Sequence, residues 1–276
     1  MVNIYDIYEG IFDKNNVKDV GNNLDAGVLD WVQTNYTGKF YISGTKNGKL
    51  LVSSKGNVKC KYRNIESIVN EYFEFDHIKG HFDVHDCTNI TNLIGGPRIV
   101  DGDLKLQGCW RIENFDGFPE KIGGLLNLRA SSIESLIGIP VADSYNLSGS
   151  EICSLEGLPE KVNGDIDCDA CYSLRNLKGA PKEVGGCFRV NSCRLHTLDG
   201  APEKVGGNFS CSHCKFLRNL EGAPKEVGQS FFCEYTNLDS LKGCTPKIGY
   251  ALWIIDTIVP KSDLETYVPK GIKIFK

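Results

Sequence analysis

Prolines recur along this chain at a nearly constant interval. Eight of the ten prolines are spaced 19 to 22 residues apart, at Pro97, Pro119, Pro140, Pro159, Pro181, Pro202, Pro224 and Pro246. The surrounding phrase also repeats, most clearly as A-P-K-E-V-G-G at 180–186 and A-P-E-K-V-G-G at 201–207. A fixed period of about 20 to 50 residues is the signature of repeat architectures. The spacing therefore predicts a solenoid built from coils of about 20–22 residues.

Each coil combines two kinds of apolar spacing. Phe209 and Cys211 alternate with polar residues, which is the period of a short strand with one buried face. Cys214, Leu217 and Leu220 follow at three-residue steps, which favours a tighter return path. The strand slot recurs as Phe82/Val84, Leu104/Leu106, Leu126/Leu128, Ile166/Cys168, Phe188/Val190, Phe209/Cys211 and Phe231/Cys233. Stacking these slots predicts a parallel β-sheet along one face of the solenoid.

The order of slots resembles leucine-rich repeats, in which a strand is followed by an Asn or Cys position and then leucines. The proline-containing return path is most similar to the short bacterial effector type. Gly186, Gly207 and their equivalents replace the usual leading leucines, so a right-handed parallel β-helix is the alternative. The L-x-G-x-P-x-x-V-x-G phrasing also resembles repeat proteins of large tailed bacteriophages. That resemblance implies a protein that acts on a host protein.

A solenoid exposes an apolar face at each end, and its ends are expected to be caps. We assign residues 1–74 to an N-terminal α/β cap or functional module, 75–258 to the coils and 259–276 to a C-terminal cap. At the C-terminal end, Ser262 opens an S-D-L-E capping-box pattern that predicts one helical turn. The segment 271–275 predicts a final strand.

The N-terminal segment carries helix and then strand signals. Leu24, Val28, Leu29 and Val32 lie at helical spacing, with Asp25 as the predicted N-cap. Three glycine-led segments follow as predicted strands, at 38–42, 48–52 and 56–60. The first two predict a hairpin over T-K-N-G.

Two cysteine pairs have the spacing of a zinc site, Cys168-x-x-Cys171 and Cys211-x-x-Cys214. They lie 43 residues apart, which is two coils. At about 4.8 Å per coil the pairs are about 10 Å from each other. Zinc needs its ligands within about 4 Å of one another. We therefore predict core thiols, with no metal and no cofactor.

Histidines cluster once in the sequence, as His77, His81 and His85 among Asp76, Asp83 and Asp86. Alternation places His81, Asp83 and His85 on one strand face, which a weak metal or acid–base site would need. A solvated strand face is the preferred interpretation. The sequence has no Ser/His/Asp elbow, phosphate-binding glycine loop or zincin helix. We therefore predict that the protein is not an enzyme.

Charge and hydropathy narrow the expected partners. The net charge is −4 with acidic and basic residues interleaved, which disfavours nucleic acid. The longest apolar run, 251–255, is too short for a membrane span, and the first residues lack a secretory pattern. Twelve cysteines then favour a reducing cytoplasm, the host's if the chain is of phage origin.

Outward strand positions line a continuous surface suited to binding a partner. These positions are polar along most of the chain and include Arg189 and Ser210. They become aromatic at Phe232 and Trp253, and Tyr235 lies nearby. Aromatic anchors dominate interface energetics, so this set, if exposed, predicts a protein–protein interaction scaffold. The alternative for Phe232 and Trp253 is that they pack under the C-terminal cap. The alternative is a small-molecule or nucleotide binder, or an enzyme, that uses the N-terminal module.

Overall fold

The computed structural model describes residues 20–69 and 71–276. Its body is a β-solenoid of about ten coils of about 22 residues. The predicted repeat solenoid with parallel sheets is therefore confirmed, and a parallel β-helix describes the same arrangement.

Helix α1 spans Val20–Asn35 and contributes to the core with its apolar face. Val28 and Val32 are fully buried. The Trp31 ring packs against Phe73, with 5.4 Å between centroids. The predicted helix is confirmed, but Asp25 as its N-cap is wrong. The helix begins at Val20, so position 25 lies inside it, whereas a cap residue precedes the helical ladder.

The predicted hairpin is also confirmed. Strands β2 (Phe40–Lys46) and β3 (Lys49–Ser54) pair antiparallel around a two-residue turn. Both turn residues have positive φ, 52° at Asn47 and 79° at Gly48. Two-residue hairpins of this type need that backbone, which Asn-Gly adopts at low cost.

One long sheet follows the solenoid and contains twelve strands. In sheet order they are β1 (Tyr36–Thr37), β4 (Val58–Cys60), β6 (Phe82–Asp83), β8 (Leu104–Lys105), β10 (Leu125–Asn127), β11 (Ser144–Asn146), β13 (Ile166–Asp167), β15 (Phe188–Arg189), β17 (Phe209–Ser210), β19 (Phe231–Phe232), β21 (Ala251–Trp253) and β22 (Lys273–Phe275). Strand β4 runs antiparallel to β1 and parallel to β6. Every later pair in this sheet is parallel. Parallel stacking in this sheet thus begins at residue 58, within the segment assigned to the N-terminal cap.

Most coils also form a second short strand shortly after the corner proline, which the sequence pattern did not indicate; after Pro140 there is only an isolated bridge between Lys121 and Val141. One five-stranded sheet contains β2, β3, β5 (Phe73–Ile78), β7 (Ile99–Val100) and β9 (Lys121–Ile122). The other contains β12 (Lys161–Val162), β14 (Glu183–Val184), β16 (Lys204–Val205), β18 (Glu226–Val227) and β20 (Lys247–Ile248). The buried residue of each of these short strands after a proline is the valine or isoleucine of the repeated phrase. These sheets form a second wall of the coils.

The core is one continuous column of apolar side chains. Both residues of every predicted strand slot are fully buried, as at Phe209 and Cys211. One further coil fills the same slot with Tyr145 and Leu147, which the apolar pattern did not assign. Tyr145 is buried because its hydroxyl donates to Pro140 O at 3.0 Å and accepts from the Ala142 N–H at 2.9 Å.

Charged residues after the corner prolines pair from coil to coil. Lys161 Nζ lies 3.1 Å from Glu183 Oε2, and Lys204 Nζ lies 3.6 Å from Glu226 Oε1. Lys247 Nζ reaches the same Glu226 carboxylate at 3.0 Å. The strands holding these residues pair in register, so the signs alternate along one column. We call this column the ionic ladder.

The C-terminal segment adds helix α2 (Lys261–Tyr267) and strand β22, which confirms a helix and a final strand, although the helix has about two turns rather than the one predicted. The predicted capping box is wrong. Helix α2 begins after Pro260, which makes no capping hydrogen bond, and Ser262 lies inside it. Asp263 instead accepts hydrogen bonds from the Leu241 N–H and the Ser240 hydroxyl, both at 2.8 Å. These bonds dock α2 on the preceding coil.

Candidate binding surface

The outward positions of the long sheet stack in register from coil to coil. Asp83 pairs with Lys105, and the column continues through later coils to Arg189, Ser210 and Phe232. It ends with Trp253 and Phe275 in the last two strands. The predicted stacking of Phe232 on Trp253 in adjacent coils is therefore confirmed.

Three aromatic rings form a stack at the C-terminal end of this column. The centroids of Phe232 and Trp253 are 5.6 Å apart with 20° between ring planes. Trp253 and Phe275 are closer, at 3.8 Å and 11°. We call Phe232, Trp253 and Phe275 the aromatic stack. Each of the three side chains is half-buried, so part of every ring remains open to solvent.

Phe275 is the member that the sequence pattern missed. It lies 22 residues after Trp253, the same interval that separates many coils, and Pro269 precedes it, 23 residues after the corner proline Pro246. The pairing of Trp253 with Phe275 in strands β21 and β22 places it in the column. The C-terminal strand thus covers one face of Trp253 and extends the aromatic surface.

The indole nitrogen of Trp253 is buried and has no hydrogen-bond partner within the described part of the chain. A buried donor left without an acceptor costs about 1–3 kcal/mol. An acceptor supplied by another molecule would remove that cost, provided that the stack opens enough for it to reach Nε1.

Tyr235 lies outside the aromatic stack. Its backbone is left-handed, with φ 53°, at the turn that follows strand β19. Its ring stacks on His213 of the preceding coil, with 4.8 Å between centroids and 11° between planes. The side chain is exposed to 40%. Tyr235 therefore belongs to a neighbouring column at the same end of the solenoid.

Arg189 and Ser210 continue the column below the aromatic stack. The Arg189 guanidinium lies 3.5 Å from the Asp165 carboxylate and remains partly exposed. Ser210 is only 9% exposed, and its hydroxyl donates to the Asn191 side chain. The Ser210 side chain is therefore nearly buried at the surface of the long sheet. Because it is small, the aromatic stack protrudes further from that surface than Ser210 does.

The cysteines of the two C-x-x-C pairs are core residues, as predicted. Cys168, Cys171, Cys211 and Cys214 are all fully buried. Burial raises the pKa of Cys211, and it raises the pKa of Cys214 to about 12. Cys214 Sγ also donates to Val190 O at 3.2 Å. Cys211 and Cys214 are therefore core thiols that keep their protons at neutral pH.

Each histidine of the 77–85 cluster is paired with a carboxylate. His77 Nε2 lies 2.8 Å from Asp101 Oδ1, and His85 Nδ1 contacts Asp83. His81 Nδ1 accepts the Asp103 N–H at 2.8 Å, which fixes this ring to the backbone of the next coil. Within residues 20–69 and 71–276 no group of three or more His, Cys, Asp or Glu residues is placed to hold a metal ion.

Comparison with protein-family models, with curated proteins and with solved structures finds no match to the chain. No helix in the described part of the chain is long and apolar enough to cross a membrane.

Proposed function

We propose that this protein is a non-catalytic scaffold that binds another protein through the C-terminal end of its long sheet. The observation that carries the proposal is the aromatic stack of Phe232, Trp253 and Phe275, in a column that is polar in earlier coils. Aromatic side chains supply a large contact area at low entropic cost and are enriched at the energetic centres of interfaces.

The spacing within the aromatic stack favours a protein over a nucleotide or another flat ligand. A flat ring inserted between two others needs about 7 Å between them, twice the optimal contact distance of about 3.5 Å. The centroids are 5.6 Å and 3.8 Å apart, so the ring faces already contact one another. Only the ring edges are accessible for contact with a partner, and a protein surface can cover several edges at once.

Neighbouring side chains extend the apolar area around the aromatic stack. Tyr250, directly before strand β21, is 54% exposed, and the Lys273 ammonium lies 4.8 Å from the centroid of its ring. Tyr235 adds a second exposed aromatic ring on the neighbouring column. An aromatic centre with charged residues at its edge is the usual composition of a protein-binding patch.

The resemblance of the repeat phrasing to bacteriophage proteins supports a narrower form of the proposal. In that form, a phage protein binds a host protein in the host cytoplasm and modulates or inhibits it. The leucine-rich-repeat resemblance supports the same general role. The proposal assigns no catalytic residue, cofactor or metal.

Site-specific photocrosslinking tests the proposal and identifies the partner in the same experiment. The photoreactive residue p-benzoylphenylalanine replaces Phe232 in one variant and Lys105 in a control variant. Both positions lie in the same outward column, Lys105 in strand β8 and Phe232 in strand β19. In a bacterial lysate we expect one discrete protein adduct from position 232 and none from position 105. Equal labelling at both positions, or labelling at 105 alone, would contradict the proposal.

A further inference from the structure

The return paths of three consecutive coils carry a cluster of exposed basic side chains. We call this cluster the basic patch; its members are Arg175, Arg194, His196, Lys215 and Arg218. The coils involved contain strands β13, β15 and β17, which pair as direct neighbours. The patch therefore lies on a part of the coil different from the strand face that holds the aromatic stack.

The basic patch consists of two columns of equivalent positions. Arg194 and Lys215 each follow a buried cysteine of the repeat, at Cys193 and Cys214. Arg175, His196 and Arg218 each follow a buried leucine, at Leu174, Leu195 and Leu217 in turn. At about 4.8 Å per coil, the Arg–His–Arg column extends about 10 Å along the solenoid.

The basic patch has almost no internal charge compensation. The side chains of Arg175, Arg194 and Lys215 form no ion pair with any residue that the structure describes. Arg218 contacts Asp239 at 4.0 Å, at the edge of the patch. The ionic ladder on the other wall of the same coils alternates its signs, so that Lys204 meets Glu226. Like charges on the return paths of adjacent coils repel one another, and an anionic partner would remove that repulsion.

We propose that the basic patch binds a short acidic segment of a partner protein. Glu151 lies in the coil before the patch and Asp239 in the coil after it, so negative charge bounds the patch on both sides. The free length of about 10 Å holds about three residues of extended chain. A continuous polyanion such as nucleic acid would run onto Glu151 or Asp239, and the chain has a net charge of −4. The boundaries therefore favour a short acidic segment.

Two aromatic rings at the ends of the patch indicate a mixed acidic and apolar sequence in that segment. Tyr172 is 60% exposed in the first coil, and Phe216 is 52% exposed in the third. The Phe216 ring stacks on His196, with 5.2 Å between centroids and 25° between planes. If the carboxylates of the segment pair with the basic side chains, an apolar side chain of the segment would contact the ring of Tyr172 or Phe216.

A peptide titration tests this inference independently of the aromatic stack. The probe is a fluorescein-labelled G-E-E-F-E-E-G peptide, compared with G-K-K-F-K-K-G and with a single-stranded oligothymidine of twelve nucleotides. Fluorescence anisotropy is measured at about 50 mM and about 200 mM salt, because screening weakens exposed charge contacts. We expect the acidic peptide to bind with a Kd below about 1 mM at the lower salt, and more weakly at the higher salt.

The matched variants are Arg175→Gln/Arg194→Gln in the patch and Lys46→Gln/Lys270→Gln outside it. All four side chains are exposed, and both double variants lose the same charge. We expect the patch variant to bind the acidic peptide about tenfold more weakly, a loss of about 1.4 kcal/mol, and the control to match the parent. Absent binding of the acidic peptide, equal loss in both variants, or tighter binding of the oligothymidine would overturn the inference. None of these results tests the proposed binding of a protein at the aromatic stack. That proposal is tested separately by crosslinking from position 232.

Discussion

Lys182 reaches back one coil to Glu160, with 3.0 Å between Nζ and Oε1. In the adjacent column the Lys161 ammonium lies 3.1 Å from the Glu183 carboxylate. A coil with the order P-E-K is therefore followed by a coil with the order P-K-E. As a result, positive and negative side chains alternate along both columns of charged residues. The stacking register explains why the two orders alternate in the sequence.

Exchanging the two charges of one coil should destabilise the solenoid. In the variant Lys182→Glu/Glu183→Lys, each new side chain faces a residue of its own sign in both neighbouring coils. Like charges on adjacent strands repel, so we expect the Tm to fall by about 2–4 °C at low salt. Thermal denaturation at about 50 mM and about 1 M salt measures the effect, which high salt should largely remove.

A compensating exchange is the control for that variant. Adding Glu160→Lys/Lys161→Glu restores opposite signs on one side, and it should recover about half of the lost Tm. No recovery would mean that the exchange acts through something other than pairing between coils.

The sequence pattern was sufficient for the repeat, the buried strand slots and the stacking of Phe232 on Trp253, because all three depend on periodicity alone. It was insufficient for the strands after the prolines, since two residues are too few to show an alternation. The positions of Asp25 and Ser262 inside helices could not be predicted, because a cap is defined by hydrogen bonds between backbone and side chain. Tyr235 lies outside the predicted aromatic cluster because its positive φ directs its side chain to a neighbouring column.

Replacing Ala130 by glycine should stabilise the protein. Ala130 has φ 57°, at a turn position where Gly108 and Gly149 serve in other coils. The left-handed conformation costs a residue with a Cβ about 1–2 kcal/mol, and the greater freedom of unfolded glycine offsets part of the gain. We expect Ala130→Gly to raise the free energy of unfolding by about 1 kcal/mol, measured by urea denaturation. Ala26→Gly, at an exposed position in α1, should change it in the opposite direction.

A cavity in one coil should loosen its neighbours. Leu217 is fully buried, and Leu217→Ala should cost about 2–5 kcal/mol. Because single coils lack independent stability, amide exchange should accelerate in strands β15 and β19 as well as in β17. Hydrogen exchange followed by mass spectrometry measures this spread. Acceleration confined to residues 202–223 would show that the coils are energetically independent.

The buried thiols should make stability fall at alkaline pH. Burial raises the pKa of both Cys109 and Cys214 from 9.0 to about 12. Between pH 9 and pH 12 the unfolded thiols ionise while the folded ones keep their protons, so the free energy of unfolding decreases as pH rises. The limiting slope is about 1.4 kcal/mol per pH unit for each thiol.

The variant Cys109→Ser/Cys214→Ser isolates this effect, because serine fills the same slot at Ser131 and Ser150 and does not titrate there. Denaturation at pH values from about 8.5 to about 10.5 should show a shallower decrease for the variant than for the parent. Parallel curves would mean that these thiols are not protonated donors in the core.

The affinity of the crosslinked partner for Trp253→Ala and Phe232→Ala proteins tests the proposed binding surface most directly. Trp110→Ala is the control, because Trp110 is 60% exposed on the return path, away from the aromatic stack. With all variants matched in Tm to the parent, we expect each stack variant to lose about thirtyfold in affinity, or about 2 kcal/mol, and the control to lose none. Unchanged affinity in both stack variants would contradict the assignment of the binding surface to this end of the sheet.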